Sequence, residues 1–166
     1  MFIRPHRIAP GPGQESVWDY PRPPRVELVS KRLRVVFAGV TLVDSTRAVR
    51  VLETSHPPVY YFPPADVRMD LLIPNARTSF CEWKGVAEYR DVCVGDRVEA
   101  AAAWVYTNPT PGFEAIRGFP AFYPARMDAC YVGEERARPQ PGSFYAGWIT
   151  NDIVGPFKGE PGTMGW

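Results

Sequence analysis

The stretch VLETSHPPVYYFPPADV, residues 51–67, contains the signals from which the fold of this chain is best inferred. Two proline pairs, Pro57–Pro58 and Pro63–Pro64, enclose the short β-type run VYYF. Proline fixes its own φ angle and keeps the preceding residue extended, so each pair predicts a stiff bend. The stretch also carries Glu53 and His56, one of the two histidines of the chain. It therefore predicts a rigid frame around a candidate site.

Short β-type segments extend in both directions from this stretch. The runs RVVFAGV, TSFCEW, AEYRDV, EAAAAWVYT and FYAGWIT are rich in Val, Ala and aromatic residues, and turn residues separate them. This pattern predicts a mostly β protein, a single compact domain of short antiparallel strands. One short helical turn is predicted near residues 64–71, because Pro64 suits an early helical position and Asp66 suits a first turn.

The distribution of proline and apolar residues divides the chain into three segments. Residues 1–30 contain APGPG and YPRPPR, which predict an extended, proline-rich N-terminal arm. Residues 31–136 hold most of the β-type runs and form the predicted β domain. Residues 137–166 carry too many apolar side chains to remain solvated, so this C-terminal tail is predicted to dock on the domain.

The charge balance and the cysteines argue against several classes of protein. Nineteen Lys and Arg against eighteen Asp and Glu give a net charge of +1, so no overall field favours nucleic acid or an anionic membrane. Cys81, Cys93 and Cys130 form no C-x-x-C pair, which disfavours a disulfide framework and a zinc site. The sequence shows no signal peptide and no membrane span, and we expect a soluble, cytoplasmic protein without a metal site.

Glu53 and His56 are the first candidate site residues. If AVRVLET is a strand, its two-residue period places Glu53 on one face with Val49 and Val51. Burial raises the pKa of a carboxyl group unless a cation or hydrogen-bond donors compensate, so Glu53 either faces a cavity or forms an internal salt bridge. His56 precedes the rigid Pro57–Pro58 pair and is preorganised, either for a site or for a structural contact with a carbonyl.

Two adjacent tyrosines, Tyr60 and Tyr61, form the centre of the run VYYF. On a strand they point to opposite faces, so only one of them lines a given cavity. The ring that faces the cavity is suited to stack on a flat ligand, whereas the other packs in the core or lies at a rim.

The segment FCEWKGVAEY supplies the second group of candidates. In strand phase Cys81, Trp83, Gly85 and Tyr89 share one face, which gives a lining of small and aromatic side chains. Lys84 then lies on the other face, unless Gly85 or a bulge breaks the phase.

Chemical alternatives remain open for two side chains of this segment. A Cys81–His56–Glu53 arrangement has the residue types of nucleophilic catalysis, because a thiolate needs a base and the base needs an orienting acid. The alternative is a buried, inert thiol. Lys84 either contacts a phosphate or carboxylate, with close backbone approach at Gly85, or remains solvated. Glu53, His56 and Cys81 are therefore the candidate catalytic residues.

Trp104 and Arg126 complete the predicted site. Trp104 joins Trp83 and the tyrosines as a candidate wall of a cavity. Arg126 follows a Tyr-Pro turn and is a candidate anion clamp, with Asp128 or a turn carbonyl as the alternative partner. The predicted ligand-binding residues are Glu53, Tyr60, Tyr61, Trp83, Lys84, Gly85, Tyr89, Trp104 and Arg126.

Taken together, the segments VLETSHPPVYYFPPADV, FCEWKGVAEY, AAAWVYTNPTPGFEAI and GFPAFYPARMDACYV resemble the domain of unknown function family 427. Some members of that family carry a nucleotidyltransferase-like label. The resemblance implies a β-tent-like fold, in which two antiparallel sheets meet around a small cavity. Zinc-bearing relatives of such folds use C-x-x-C pairs, which this chain lacks. The family pattern points to Glu53, His56, Tyr60 or Tyr61, Cys81, Lys84, Gly85 and Tyr89.

Three functional hypotheses follow from these residues and from the resemblance. The leading one is a small-molecule pocket protein, a binder or an enzyme, with Glu53 and Lys84 as polar anchors and no predicted cofactor. The first alternative is a nucleotidyltransferase-type enzyme, the only case in which Mg²⁺ is expected, although the sequence offers no Asp-x-Asp pair. The second alternative is a protein-interaction module or a homodimer formed through the arm or the tail.

Overall fold

The computed structural model describes residues 5–166 of the chain. The regular structure in this range is mostly β, as the sequence predicts. Its fifteen strands are β1 (Glu15–Ser16), β2 (Arg25–Leu28), β3 (Leu33–Phe37), β4 (Val40–Ser45), β5 (Val49–Leu52), β6 (Val59–Tyr61), β7 (Leu72–Cys81), β8 (Gly85–Val94), β9 (Arg97–Val105), β10 (Ala121–Phe122), β11 (Ala129–Val132), β12 (Glu135–Arg136), β13 (Arg138–Pro139), β14 (Trp148–Ile149) and β15 (Ile153–Val154).

Short 3-10 helices connect some of these strands. They lie at Val17–Asp19, Pro64–Asp66, Met69–Leu71, Glu114–Ile116 and Pro124–Arg126. The helical turn predicted near residues 64–71 is confirmed, as two consecutive 3-10 turns. Pro64 occupies the first helical position of the earlier one, where its missing N–H has no intrahelical partner to lose.

Three antiparallel sheets form the body of the described chain. Sheet I has the strand order β2-β5-β6, sheet II the order β10-β9-β8-β7, and sheet III the order β12-β11-β3-β4. Two smaller pairs accompany them, the antiparallel pair β13-β14 and the parallel pair β1-β15. The predicted antiparallel architecture is therefore confirmed, and the two-residue pair β1-β15 is its exception.

Sheet I contains the strands on either side of the Pro57–Pro58 bend. β5 pairs with β6, so that Arg50 lies opposite Tyr60. The other edge of β5 pairs with β2, which consists of Arg25–Leu28. The last residues of the proline-rich segment 1–30 thus belong to the same sheet as the strand that leads to Glu53.

Sheet II is built from long hairpins, and its first turn decides between the two alternatives that the sequence left open for Lys84. β7 ends at Cys81 and β8 begins at Gly85, directly opposite, so residues 82–84 form a tight turn. Gly85 has a φ angle of +103°, a conformation that glycine adopts without a steric clash. The turn breaks the strand phase, and Cys81 and Lys84 border the same cavity instead of lying on opposite faces.

Two clusters of buried side chains lie on the two faces of β6. Tyr60 belongs to the first cluster, together with Leu33 and other residues of sheet III. Tyr61 belongs to the second cluster, together with Val51 of sheet I and Trp104 of sheet II. The prediction that the two tyrosines point to opposite faces is confirmed. The second cluster joins sheets I and II.

The two ends of the described chain pack on the sheets and on each other. Glu15 pairs with Ile153 in the parallel strands β1 and β15. In the tail, Trp148 and Ile149 are buried, and the ring of Trp148 lies 5.0 Å from that of Tyr60, centroid to centroid. No helix within residues 5–166 is long and apolar enough to cross a membrane.

Candidate ligand cavity

A cavity of about 320 Å³ lies between sheets I and II. Sheet I contributes Val51 and Tyr61 to its wall, and sheet II contributes Ala87 and Trp104. The tail closes a further side through residues 144–146. This volume falls at the lower end of the range of about 300–1,000 Å³ that is usual for small-molecule sites.

Aromatic side chains dominate the wall of the cavity. They include five of the eight tyrosines of the chain. Trp104 connects several of them, because its ring centroid lies 6.3 Å from that of Tyr61 and 4.8 Å from that of Tyr123. The aromatic residues of the wall are Tyr61, Phe80, Trp83, Tyr89, Trp104, Tyr106, Tyr123, Phe144 and Tyr145.

A tight turn presents Glu53 and His56 to the cavity. β5 ends at Leu52, and the N–H of His56 donates to the carbonyl of Glu53 at 3.0 Å, which closes a four-residue turn. Ser55, inside this turn, has a φ angle of +72° and is fully buried. Its N–H donates to Val17 and its carbonyl accepts from Lys158, and these bonds hold the left-handed conformation in place.

The carboxylate of Glu53 faces the cavity and is also ion-paired. Its Oε2 atom lies 3.4 Å from Nε of Arg22 and 3.5 Å from Nε2 of His56. Glu53 therefore both faces the cavity and forms a salt bridge, which were the two alternatives inferred from the sequence. Arg22 additionally donates to the carbonyls of Thr54 and Trp166, which fixes the guanidinium beside the carboxylate.

Gln140 determines how the imidazole of His56 is protonated. The N–H of Gly147 donates to Oε1 of Gln140, and Nε2 of Gln140 donates to the carbonyl of Lys158, so the orientation of the amide is fixed. The same Nε2 lies 3.1 Å from Nδ1 of His56. Because an amide nitrogen can only donate, Nδ1 is the acceptor and the proton is on Nε2, which points towards Glu53.

His56 is a neutral side chain at physiological pH. Burial, followed by the positive charges of Lys158 and Arg22, lowers the pKa of its imidazole to about 3. Charge on the ring would be desolvated and would be repelled by these cations, and the neighbouring carboxylate of Glu53, already paired with Arg22, does not offset them. His56 therefore acts as a hydrogen-bonding group in the wall of the cavity.

The geometry does not fit the Cys81–His56–Glu53 triad considered from the sequence. A triad needs one ring nitrogen that accepts the proton of the nucleophile and a second that donates to the acid. In His56, Nε2 carries its proton towards Glu53 and Nδ1 accepts from Gln140. No ring nitrogen is left to receive a proton from Cys81, whose thiol is one part of the cavity wall.

The buried tyrosine hydroxyls around the cavity stay protonated. Burial raises the pKa of Tyr61, Tyr106 and Tyr123 well above the usual value of a phenol. Tyr61 accepts a hydrogen bond from Nε1 of Trp104 at 3.4 Å and keeps its own proton available. At neutral pH these hydroxyls can form hydrogen bonds, and they are poor acid–base catalysts.

The structure brings most of the predicted site residues together, and three of them lie elsewhere. Tyr60 packs in the first core cluster, and Gly85 closes the β7–β8 turn. Arg126, predicted as an anion clamp, instead donates to Oε2 of Glu99 at 3.1 and 3.2 Å. The predicted residues that border the cavity are Glu53, His56, Tyr61, Cys81, Trp83, Lys84, Tyr89 and Trp104.

Several residues of the cavity were missed by reasoning from the sequence. Gln140, Tyr145 and Lys158 come from the tail, and Tyr106 and Tyr123 follow β9 and β10. The apolar content of the tail indicated that it docks on the domain. Nothing in the local pattern indicated which of its side chains would reach His56.

Residues 5–166 contain no group of three or more His, Cys, Asp and Glu side chains arranged to hold a metal ion. The architecture defines a class of protein, a mostly β domain in which two antiparallel sheets border an aromatic cavity. The chain belongs to the domain of unknown function family DUF427, whose family model matches residues 25–133. This match includes Glu53, His56 and Lys84, whereas Gln140 and Lys158 lie beyond it. No curated protein matches the chain.

Proposed function

We propose that this protein binds a small molecule in the cavity between sheets I and II, as a binding protein or as an enzyme. The observation that carries the proposal is the combination of aromatic walls with a few polar groups from separate segments. Glu53 and His56 come from the turn after β5, and Lys84 comes from the β7–β8 turn. Apolar walls with a small number of placed polar groups are typical of small-molecule sites.

Glu53 is the anchor that the hydrogen bonds support best. Its Oε2 atom is shared by Arg22 and His56, whereas Oε1 has no hydrogen-bond partner within residues 5–166. Oε1 is therefore available to accept from a hydroxyl or N–H group of a ligand. The neighbouring ion pair keeps the carboxylate oriented, which reduces the entropy lost on binding.

A thermal-shift screen of the purified protein tests the proposal. The compounds are nucleotides with and without Mg²⁺, sugar phosphates, aldehydes and small aromatic acids. A ligand at 100 times its Kd adds about 2.7 kcal/mol to the free energy of unfolding. Each kcal/mol moves the Tm of a domain of this size by roughly 2–4 °C. We expect at least one class to raise the Tm by roughly 5–10 °C.

Two matched variants test whether a ligand binds in the cavity. Val59→Phe adds a ring to the wall, and Val98→Phe adds the same ring at an exposed position of β9 outside it. The first should abolish the ligand-induced shift and the second should preserve it. Glu53→Gln should weaken binding without unfolding the protein, because the ion pair of Glu53 with Arg22 is partly exposed and contributes little to stability. A shift that survives Val59→Phe, or no shift with any compound, would refute the proposal.

The purified protein also allows the nucleotidyltransferase and homodimer alternatives to be tested. A nucleotidyltransferase requires Mg²⁺-dependent turnover of a nucleoside triphosphate, and no turnover with any of the common triphosphates rejects it. A homodimer requires that the mass of the full chain in solution rise with concentration, which sedimentation measures. A mass that remains that of a single chain rejects the homodimer.

A further inference from the structure

The lysines of this chain are few, and most of them are at the cavity. The sequence contains three lysines against sixteen arginines. Lys84 and Lys158 border the cavity, and Lys31 lies outside it and pairs with Asp152 at 3.4 Å. Arginine provides nearly all other cations in the salt bridges of the described chain. Lys84 and Lys158 therefore differ from most other cations of the described chain in two ways, because they lie at the cavity and because they are lysines.

Neither cavity lysine has a carboxylate partner in the part of the chain that the structure describes. Within residues 5–166, no carboxylate oxygen lies within 4.0 Å of Nζ of Lys84 or Lys158. Each ammonium group instead lies near an aromatic ring, at 5.8 Å from the centroid of Tyr106 for Lys84 and 5.9 Å from that of Tyr145 for Lys158. Both side chains are partly buried. A partly desolvated cation without a counter-ion is stabilised when an anion binds beside it.

The carboxylates near the cavity do not remove this positive charge. Glu53 is held by Arg22, so the pair contributes no net charge. Glu82 is the other carboxylate of the wall, and its side chain is exposed at the rim. Lys158 and Lys84 both border the cavity that contains His56, and their positive charges each lower the pKa of its imidazole.

We propose that the ligand of this cavity is a small aromatic anion, whose carboxylate or phosphate group binds Lys84 and Lys158 while its ring lies against the aromatic wall. This inference rests on the proposed function and names the chemical class of the ligand. Lysine is a compact point charge on a flexible stem, so both lysines can approach one anionic group without a fixed bidentate geometry. Tyr61 and Trp104 provide apolar ring surface for the remainder of the ligand.

Titrations with three probes of similar shape test the charge of the ligand. Benzoate and phenyl phosphate carry the two anionic groups, and benzamide is the neutral counterpart. Binding is followed by protein NMR shifts and by tryptophan fluorescence. We expect the preferred anion to bind at least about tenfold more tightly than benzamide, the factor expected for a charged hydrogen bond. The comparison of benzoate with phenyl phosphate identifies the preferred group.

Lysine variants test the two contacts. Lys84→Gln and Lys158→Gln should each weaken anion binding about tenfold and leave benzamide binding unchanged, which also shows that the cavity remains folded. Lys84→Arg retains the charge and should restore most of the affinity. Lys31→Gln is the matched control, and it should leave the binding of every probe unchanged.

The outcomes separate this inference from the proposed function. Equal binding of benzamide and the anions, or anion binding that both glutamine variants retain, overturns the anion inference and leaves small-molecule binding intact. Binding of only non-anionic compounds in the wider screen overturns it in the same way. If no compound of any class binds at the cavity, both proposals fail.

Discussion

Lowering the pH from 7 to 5 is expected to destabilise the folded protein through His56. Burial, with the positive charges of Lys158 and Arg22, lowers the pKa of His56 to about 3 from its ordinary value of 6.5. The unfolded chain therefore binds a proton that the folded chain does not bind. This contribution to stability is complete above the unfolded pKa and is lost progressively as the pH falls from about 6.5 towards 3.

The magnitude follows from these two pKa values. At pH 7 the unfolded histidine is only partly protonated, and the cost to folding is about 0.2 kcal/mol. At pH 5 it is almost fully protonated while folded His56 remains neutral, and the cost is about 2 kcal/mol. Aspartates whose pKa is lowered by arginine partners, such as Asp44 and Asp128, lose their contribution only below about pH 4. The interval between pH 7 and pH 5 therefore isolates His56.

Urea unfolding at pH 7, 6 and 5 measures this loss directly. His56→Gln keeps an N–H donor but does not titrate, so its free energy of unfolding should change much less over the interval. His6→Gln replaces the only other histidine, which is exposed, and should retain the dependence of the wild type. Between pH 7 and pH 5, the free energy of unfolding should fall by about 2 kcal/mol more in His6→Gln than in His56→Gln.

Two results would refute this electrostatic account of the cavity. One is a wild-type protein whose free energy of unfolding changes no more between pH 7 and pH 5 than that of His56→Gln. The other is an NMR titration in which the ring protons of folded His56 shift with a midpoint near 6.5. In either case the imidazole would be charged and solvated, and the neutral Nε2–H form assigned from Gln140 would be incorrect.

Three further predictions concern buried groups of the described chain, one at the cavity and two away from it. Gly147→Ala should lower the free energy of unfolding in urea by about 2 kcal/mol, because the added Cβ would lie 2.5 Å from a ring carbon of Pro57. Gly11→Ala should cost less, because its Cβ would meet only the flexible side chain of Gln14. Arg50→Gln should cost about 2 kcal/mol in the same assay, because this largely buried guanidinium binds two glutamates. Arg32→Gln removes only a solvent-exposed pair with Asp44 and should cost much less. Burial raises the pKa of the Cys130 thiol to about 12, so alkylation at pH 8 should label at most two thiols of the native protein and three after unfolding. Equal losses within either pair of variants, or three native thiols labelled, would contradict these expectations.

Local sequence patterns were sufficient for several parts of the fold. The alternation in VYYF predicted that Tyr60 and Tyr61 face opposite ways, because successive side chains on a strand always do. Pro64 and Asp66 predicted the helical turn, and the EAAAAW run was correctly assigned to a strand. For FCEWKGVAEY the local pattern left open whether Gly85 breaks the strand phase, and it did not indicate that residues 82–84 form a tight turn.

The sequence by itself determined the class of architecture and eight of the residues that border the cavity, because strand period and proline stiffness act over a few residues. The tertiary structure alone decided what surrounds His56. Gln140 lies 84 positions away in the chain, and Lys158 arrives with the docked tail. Arg126 shows the same limit, since this residue of a 3-10 helix has its carboxylate partner, Glu99, on strand β9. Side-chain partners across such separations are set by the packing of whole sheets and segments, and no local pattern encodes them.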